Sequence, residues 1–315
     1  MSSLVDRRLL FVTGKGGVGK TTVAAALAVY AAEQGRRTLL CEVDAKGDVA
    51  AQLETDPTGF EARRVLPNVW AMSMNTEASL REYLKLQLKV PMVGRIGPLA
   101  KAFDFVATAA PGVREILTVG KFCYEVREDH YDLVVVDAAA TGHVVGQLTA
   151  PQAINELVRV GLVRSQTDWM LQMLSDAAVT GLVVVTTPEE MPVSETIELA
   201  ERLREQTTVA LRAVVVNRVL PELFGRAEEA AFDELISEGP RAALGDLLQG
   251  DPAPVFEAAR LAVTMRRTRA GHLDRLRAGI DPSVPVVYLP ELFTRSHGLR
   301  TVRQVAAHLG EELGT

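Results

Sequence analysis

The sequence predicts an α/β fold, a mostly parallel sheet flanked by helices and carrying an α-helical insertion subdomain. Three observations support it. A glycine-rich loop, Gly14 to Gly19, stands between an apolar run and a helix-forming run. Unbroken apolar runs such as Leu133-Val134-Val135-Val136 suit strands covered on both faces. These runs alternate with stretches of helical period, as βαβ units require. The 315 residues, 48% hydrophobic and 23% charged, have ordinary globular composition and enough length to bury a core.

Leu9-Leu10-Phe11-Val12 reads as a buried strand. After the glycines a helix runs from Lys20 to about Gln34, where Gly35 ends it. Thr38 to Val43 is the second strand, and further strands are expected at Val69–Met74, Leu133–Asp137, Gly181–Thr186, Ala213–Val219 and Val284–Leu289. Between Thr76 and Asp129 no strand is evident. That stretch, broken by Pro91, Gly94, Gly97-Pro98 and Pro111-Gly112, reads as a helical insertion at about 76–130 within a single domain spanning 1–315.

The net charge of −6 gives no overall pull toward nucleic acid or anionic lipid. Arg260, Arg266, Arg267, Arg269, Arg275 and Arg277 form a basic helical tract, but Asp274 interrupts it. It reads as a solvated face rather than a DNA contact, and nucleic acid is not an expected partner. No apolar stretch reaches the roughly 18 residues of a membrane span. Arg7-Arg8 precedes only four apolar residues, too few for an export signal. The two cysteines, Cys41 and Cys123, cannot build a disulfide framework or a four-thiolate metal site within one chain. A reducing, cytoplasmic setting is expected.

Gly14-Lys15-Gly16-Gly17-Val18-Gly19-Lys20-Thr21-Thr22 fits G-x-x-x-x-G-K-[ST] between a strand and a helix, the phosphate-loop context. Its glycines permit a tight turn whose backbone N–H groups cradle phosphate oxygens, aided by the helix N-terminus. Lys20 would reach the β- and γ-phosphates, and Thr21 would ligate Mg²⁺. The architecture expected is therefore that of a P-loop NTPase. Lys15 is additional, because the general motif leaves its position open and a second cation beside Lys20 is costly unless it serves something, although a solvated loop lysine is the other reading. Asp137 tips an apolar strand and would hold Mg²⁺ through water from that position. Asp44 ends the second strand, at the carboxyl edge where open α/β sheets bind ligands, although a turn or helix-cap aspartate is the other reading.

The loop G-K-G-G-V-G-K-T-T resembles the deviant Walker A loop of the signal-recognition, MinD, ParA and ArsA class. The resemblance implies that Lys15 crosses a dimer interface to the other subunit's nucleotide, and that Asp44 polarises the attacking water. Ala45-Lys46-Gly47-Asp48 departs from the usual D-P-A-H switch. Asp137-Ala138-Ala139-Ala140-Thr141-Gly142-His143 resembles the D-T-A-P-T-G-H switch of the ArsA and tail-anchored-protein targeting ATPases. Gly142 can offer its backbone near the γ-phosphate, and His143 reads as structural rather than catalytic. Val214-Val215-Val216-Asn217 resembles the family strand whose asparagine reads adenine, and the amide of Asn217 can both donate and accept on a purine edge. Leu289-Pro290-Glu291-Leu292-Phe293 is similar to the adenine-side loop. Thr187 to Thr196 and Pro111-Gly112-Val113-Arg114-Glu115 also match. With Arg95-Ile96-Gly97 and the run from Ala110 to Lys121, the nearest resemblance is to actinobacterial ArsA-like members, and it spans Leu9 to Leu309.

Two family features are missing. No C-x-x-C pair exists to bridge a dimer with zinc, and the isolated thiols read as buried and inert rather than arsenite-binding. In the segment 151–181, Leu157, Val158, Leu162, Trp169, Met170, Met173 and Leu174 could line a client groove or pack as core. The apolar residues Leu80, Leu84, Leu88, Phe103, Phe105 and Val106 of the insertion could pack locally or on a partner. The function expected is a Mg²⁺- and ATP-dependent switch. It would act as a homodimer, or as a heterodimer with a paralogous ATPase, serving a hydrophobic protein client or a membrane partner. The alternatives are a ParA/MinD-like positioning ATPase and a nucleotide-locked scaffold.

Overall fold

The computed structural model describes residues 4–88, 112–157, 160–222, 225–235, 243–245, 247, 250–293 and 298–314. Its strands are β1 (Leu9–Gly14), β2 (Thr38–Glu42), β3 (Arg63–Leu66), β4 (Val69–Ser73), β5 (Leu133–Asp137), β6 (Thr180–Thr186), β7 (Leu211–Val219) and β8 (Val286–Pro290). They form one 8-stranded sheet in the order β3-β4-β2-β5-β1-β6-β7-β8. Every pairing is parallel except that of β3 with β4 at one edge. The helices are α1 (Lys20–Glu33), α2 (Asp48–Gln52), α3 (Thr76–Leu88), α4 (Val113–Arg127), α5 (Thr141–Leu157), α6 (Leu162–Ser175), α7 (Glu190–Gln206), α8 (Arg226–Leu235), α9 (Ala253–Gly279) and α10 (Leu299–Leu313).

The alternation of side chains along a strand divides the core in two. Leu10 and Val12 of β1 pack with Val23, Ala24 and Leu27 of α1 and with Val302 and Val305 of α10. Leu9 and Phe11 face the other way, toward Val119 and Phe122 of α4, Val144 and Leu148 of α5 and Leu199 of α7. Phe11 and Phe122 meet edge to face with centroids 6.4 Å apart. Side chains of this size contribute about 1.5–3 kcal/mol each on full burial. Both faces of the sheet are thus covered, which explains the unbroken apolar runs of β1, β5 and β6.

Some boundaries differ from the expected ones. The last strand runs from Val286 to Pro290 rather than from Val284 to Leu289, because Val284 belongs to the turn that follows Asp281. The edge strand β3 was not expected. It is short and only half buried, so it carries no continuous apolar run. Within the segment expected as an insertion, α4 lies directly on the sheet and buries Leu117, Val119, Phe122, Cys123 and Val126. Leu84, Leu88, Phe103, Phe105, Val106 and Arg95-Ile96-Gly97 lie outside the described residues or side chains. No helix among the described residues is long and apolar enough to cross a membrane.

Candidate active site

The carboxyl ends of β1, β2, β5, β7 and β8 all open on one edge of the sheet. They bring Gly14, Asp44, Asp137, Asn217 and Pro290 to that edge. Open α/β sheets bind ligands in such a crevice. Gly14 to Gly19 cross it as a loop whose shape depends on left-handed backbone at Gly17 and Gly19 (φ 86° and 93°). Gly14 is the most constrained position, because a Cβ there would stand 2.1 Å from the Val185 carbonyl oxygen. Helix α1 then begins at Lys20 with no side-chain cap and no acidic residue in its first turn. Its unpaired N–H groups and positive end are left for an anion.

Lys20 Nζ donates to the Lys15 carbonyl at 3.1 Å, so the ammonium lies across the loop. Burial lowers its pKa, while Asp137 and Asp44 pull in the opposite direction. Thr21 Oγ1 donates to Asp137 Oδ2 at 2.7 Å. The second oxygen, Asp137 Oδ1, is buried without a hydrogen-bond partner. A hydroxyl and a carboxylate oxygen with spare lone pairs form a donor set for a hard divalent cation.

Burial raises the Asp137 pKa to about 6, and the Thr21 hydroxyl and Lys20 only partly oppose it. A carboxyl whose folded pKa is raised stabilises the fold below its ordinary pKa of 3.8, and that contribution is lost as pH rises through about 6. Thermal unfolding of protein stripped of nucleotide and metal should therefore show stability falling between pH 4 and 6, by about 3 kcal/mol at most. Asp137→Asn should remove that slope, and an unchanged slope in the variant would assign it to another group. A cation that needs the ionised form must bind more weakly as pH falls through the same range.

Around this centre the loops are braced. Thr13 Oγ1 donates to the Ala139 carbonyl at 2.7 Å, and Ala138 N donates to the Val12 carbonyl at 2.9 Å. The segment after Asp137 is thereby tied to β1. Gly142 and His143 are exposed in the first turn of α5. Asp44 stands half-exposed beyond β2, 3.7 Å from Lys46. Left-handed residues at Ala45 and Gly47 turn its loop back into α2.

Sequence reasoning missed Glu42, which organises that loop. It is 2% exposed, accepts from Asp48 N at 2.7 Å and accepts from Ser73 Oγ at 2.9 Å. A lone carboxylate in the strand Thr38-Leu39-Leu40-Cys41-Glu42 was the available signal.

Asn217 Nδ2 donates to the Val18 carbonyl at 2.9 Å, and its Oδ1 accepts from Arg218 N at 3.0 Å. A Cβ on Gly19 would lie 2.4 Å from that nitrogen. The amide therefore braces the glycine-rich loop, and its second N–H and second lone pair could serve a ligand. Pro290 pairs with Val219 at the end of the neighbouring strand. Val18 is buried in the core, while Gly16 and Gly17 face solvent and Thr22 is half-buried.

The other candidates separate clearly. Cys41 and Cys123 are fully buried. Burial pushes the Cys123 thiol up to about 12 and raises that of Cys41, so neither is poised as a thiolate. Among the described residues no three His, Cys, Asp or Glu side chains gather as a metal cluster. In the basic tract, Arg266 pairs with Glu222, Arg269 with Glu189, and Arg277 donates to the Tyr288 hydroxyl. Met170 and Leu174 belong to the core, whereas Leu157 is 79% exposed. Helices α3, α4, α5 and α6 line an apolar pocket of about 240 Å³ that is open to the surface, with Leu80, Tyr83, Ile116, Leu117, Trp169 and Met170 among its residues.

The anion-transporting ATPase family model matches residues 7–171 and 157–231. The chain is 33% identical over 311 residues to ATPase BagA of Mycobacterium tuberculosis, covering 92% of this chain and 88% of that one. It is 29% identical over 263 residues to a protein of Halobacterium salinarum named as an arsenical pump-driving ATPase, covering 74% of this chain and 40% of that one. It is 30% identical over 172 residues to ATPase get3 of Neurospora crassa, covering 53% of this chain and 50% of that one.

Proposed function

Because this chain belongs to the anion-transporting ATPase (ArsA) family and is an ATP hydrolase, we propose that it works as a magnesium-dependent, nucleotide-switched dimer in the cytoplasm. The dimer is formed by two copies, or by this chain and a paralogous ATPase. The observation that carries the reading is the presence of two lysines in one phosphate loop. Lys20 already lies across the loop on the Lys15 carbonyl. Local cradling of the phosphates therefore does not call on the Lys15 ammonium, which rests on Glu195 of its own subunit and is the group assigned to the other nucleotide.

The backbone N–H groups of Gly14 to Thr22 and the open end of α1 bind the phosphates. Lys20 neutralises charge that develops on the β,γ-bridge. Thr21 and Asp137 would hold magnesium, which when bound would supply further neutralisation of phosphate charge. Asp44 orients the attacking water, and Lys15 completes the site of the other subunit in the manner of an arginine finger. Asn217 and Pro290 border the adenine.

The output belongs to the helices, with residues 76–130 as the switched subdomain of a single domain. Helix α4 leads into β5, which ends at Asp137, and α5 starts four residues later at Thr141. A displacement at Asp137 therefore reaches one wall of the apolar pocket, α5, within four residues, and reaches α4 through the length of β5. A hydrophobic segment of a client protein or membrane partner suits the lining of that pocket.

Asp44→Asn tests this reading. It should keep ATP affinity, slow single-turnover hydrolysis by about 100-fold and accumulate as a dimer with Mg·ATP. A hydrophobic client should remain bound to that dimer on size-exclusion chromatography with mass detection. Normal hydrolysis would remove Asp44 from its role. Turnover stimulated by DNA or lipid would favour a positioning ATPase, and tightly held nucleotide without turnover in the wild type would favour a scaffold.

A further inference from the structure

Lys15 is held by its own subunit. Its Nζ forms an ion pair with Oε1 of Glu195, in the second turn of α7. The other carboxylate oxygen, Oε2, accepts from Thr141 Oγ1 at 3.2 Å. Thr141 is the first residue of α5, immediately beyond the segment that follows Asp137. One carboxylate thus ties the phosphate loop to the start of the helix after β5, across 180 residues on one side and 54 on the other.

The pair is neither sealed nor free. The side chains of Lys15 and Glu195 are 31% and 28% exposed. Helix α7 does not depend on the pair for its place, because Val193, Thr196, Leu199 and Leu203 anchor it in the core. A lysine that must reach a second nucleotide has first to leave this carboxylate.

We propose that Glu195 is a positioning residue that parks Lys15 in cis, and that its release gates the ATP-driven closure of the dimer. The proposal rests on the trans role of Lys15 given above. Two anions compete for one ammonium: the Glu195 carboxylate within the subunit and the phosphates presented by the other. While Lys15 is parked, Glu195 also holds Thr141, so the helix after Asp137 is restrained by the same contact. When Lys15 transfers, the carboxylate loses its cation and its grip on Thr141 is the only bond left of the bridge. Arrival of the second subunit and movement of α5 are thereby linked through a single side chain.

Glu195→Gln keeps the length of the side chain and an acceptor for Thr141, and removes the charge that holds Lys15. Self-association is read by sedimentation against protein concentration, with Mg²⁺ and either ADP or a non-hydrolysable ATP analogue. With the analogue, the midpoint for Glu195→Gln should fall about fivefold, the range expected of a partly exposed ion pair. With ADP it should not move. Hydrolysis per chain at low protein concentration should rise in parallel. In a Lys15→Ala background, which should not associate with the analogue, the same substitution should not restore association, whereas an effect of Glu195 that is independent of Lys15 would. An unmoved midpoint in Glu195→Gln, with Lys15→Ala unable to associate, would overturn the latch and leave the trans role standing. Normal association and hydrolysis by Lys15→Ala would overturn the trans role and the latch together. Association restored in the double variant would also overturn the latch. A matching thermal midpoint for wild type and Glu195→Gln guards against a folding defect.

Discussion

Lys20→Ala should bind ATP at least on the order of 100-fold more weakly, as expected for loss of charge-assisted hydrogen bonds to phosphate in a partly desolvated site. The ammonium is already placed, 3.1 Å from the Lys15 carbonyl. Binding therefore costs little reorganisation, and the full interaction is lost on truncation. Burial disfavours the charged form of Lys20, and Asp137 and Asp44 favour it. Removing the cation leaves those carboxylates to repel the incoming phosphates. Equilibrium titration with a fluorescent ATP analogue measures the effect, and near-normal affinity would dismiss Lys20 as the phosphate lysine. The fold should survive, since Lys20 is only half-buried and the core contacts of α1 are made by Val23, Ala24 and Leu27.

Lys15→Ala should separate binding from turnover. ATP affinity should stay within a few-fold of wild type, because the cradle, Lys20 and Thr21 are intact. Hydrolysis should fall about 1000-fold, at the low end of what a finger residue supplied in trans contributes. Mixing Lys15→Ala with Asp44→Asn provides the decisive arrangement. In the mixed dimer, the site on the Lys15→Ala chain keeps its own Asp44 and receives Lys15 from the other subunit. The second site lacks both groups. One site of two should recover, and full activity in a chain held strictly monomeric would rule out the trans role.

Much of this was legible because it is written locally. The phosphate loop occupies nine consecutive residues, and its glycines, Lys20 and Thr21 need only a strand before and a helix after. β1, β5 and β6 were legible because parallel strands buried on both faces leave unbroken apolar runs. β3 was not, since a half-buried edge strand pairs on one side only and needs no such run. Met170 and Leu174 were ambiguous between groove and core for a related reason. An apolar side chain looks the same in either place until the opposite wall is known.

By itself the sequence determined the fold class, from the alternation of apolar runs with helical periods, and the place of the glycine-rich loop between β1 and α1, of Asp137 at the end of β5 and of Asp44 just beyond β2, each of which depends on neighbouring residues. Only the tertiary structure decided which distant groups meet. It set Asp137 against Thr21 across 116 residues and Asn217 against Val18 across 199. It also placed Glu42 beneath the Asp44 loop and Glu195 on Lys15. The strand order brings β2, β5, β1, β6 and β7 side by side, although they are widely separated in the chain. Charge pairing is a matter of distance, and no local pattern encodes which carboxylate a crossover will deliver to a given ammonium.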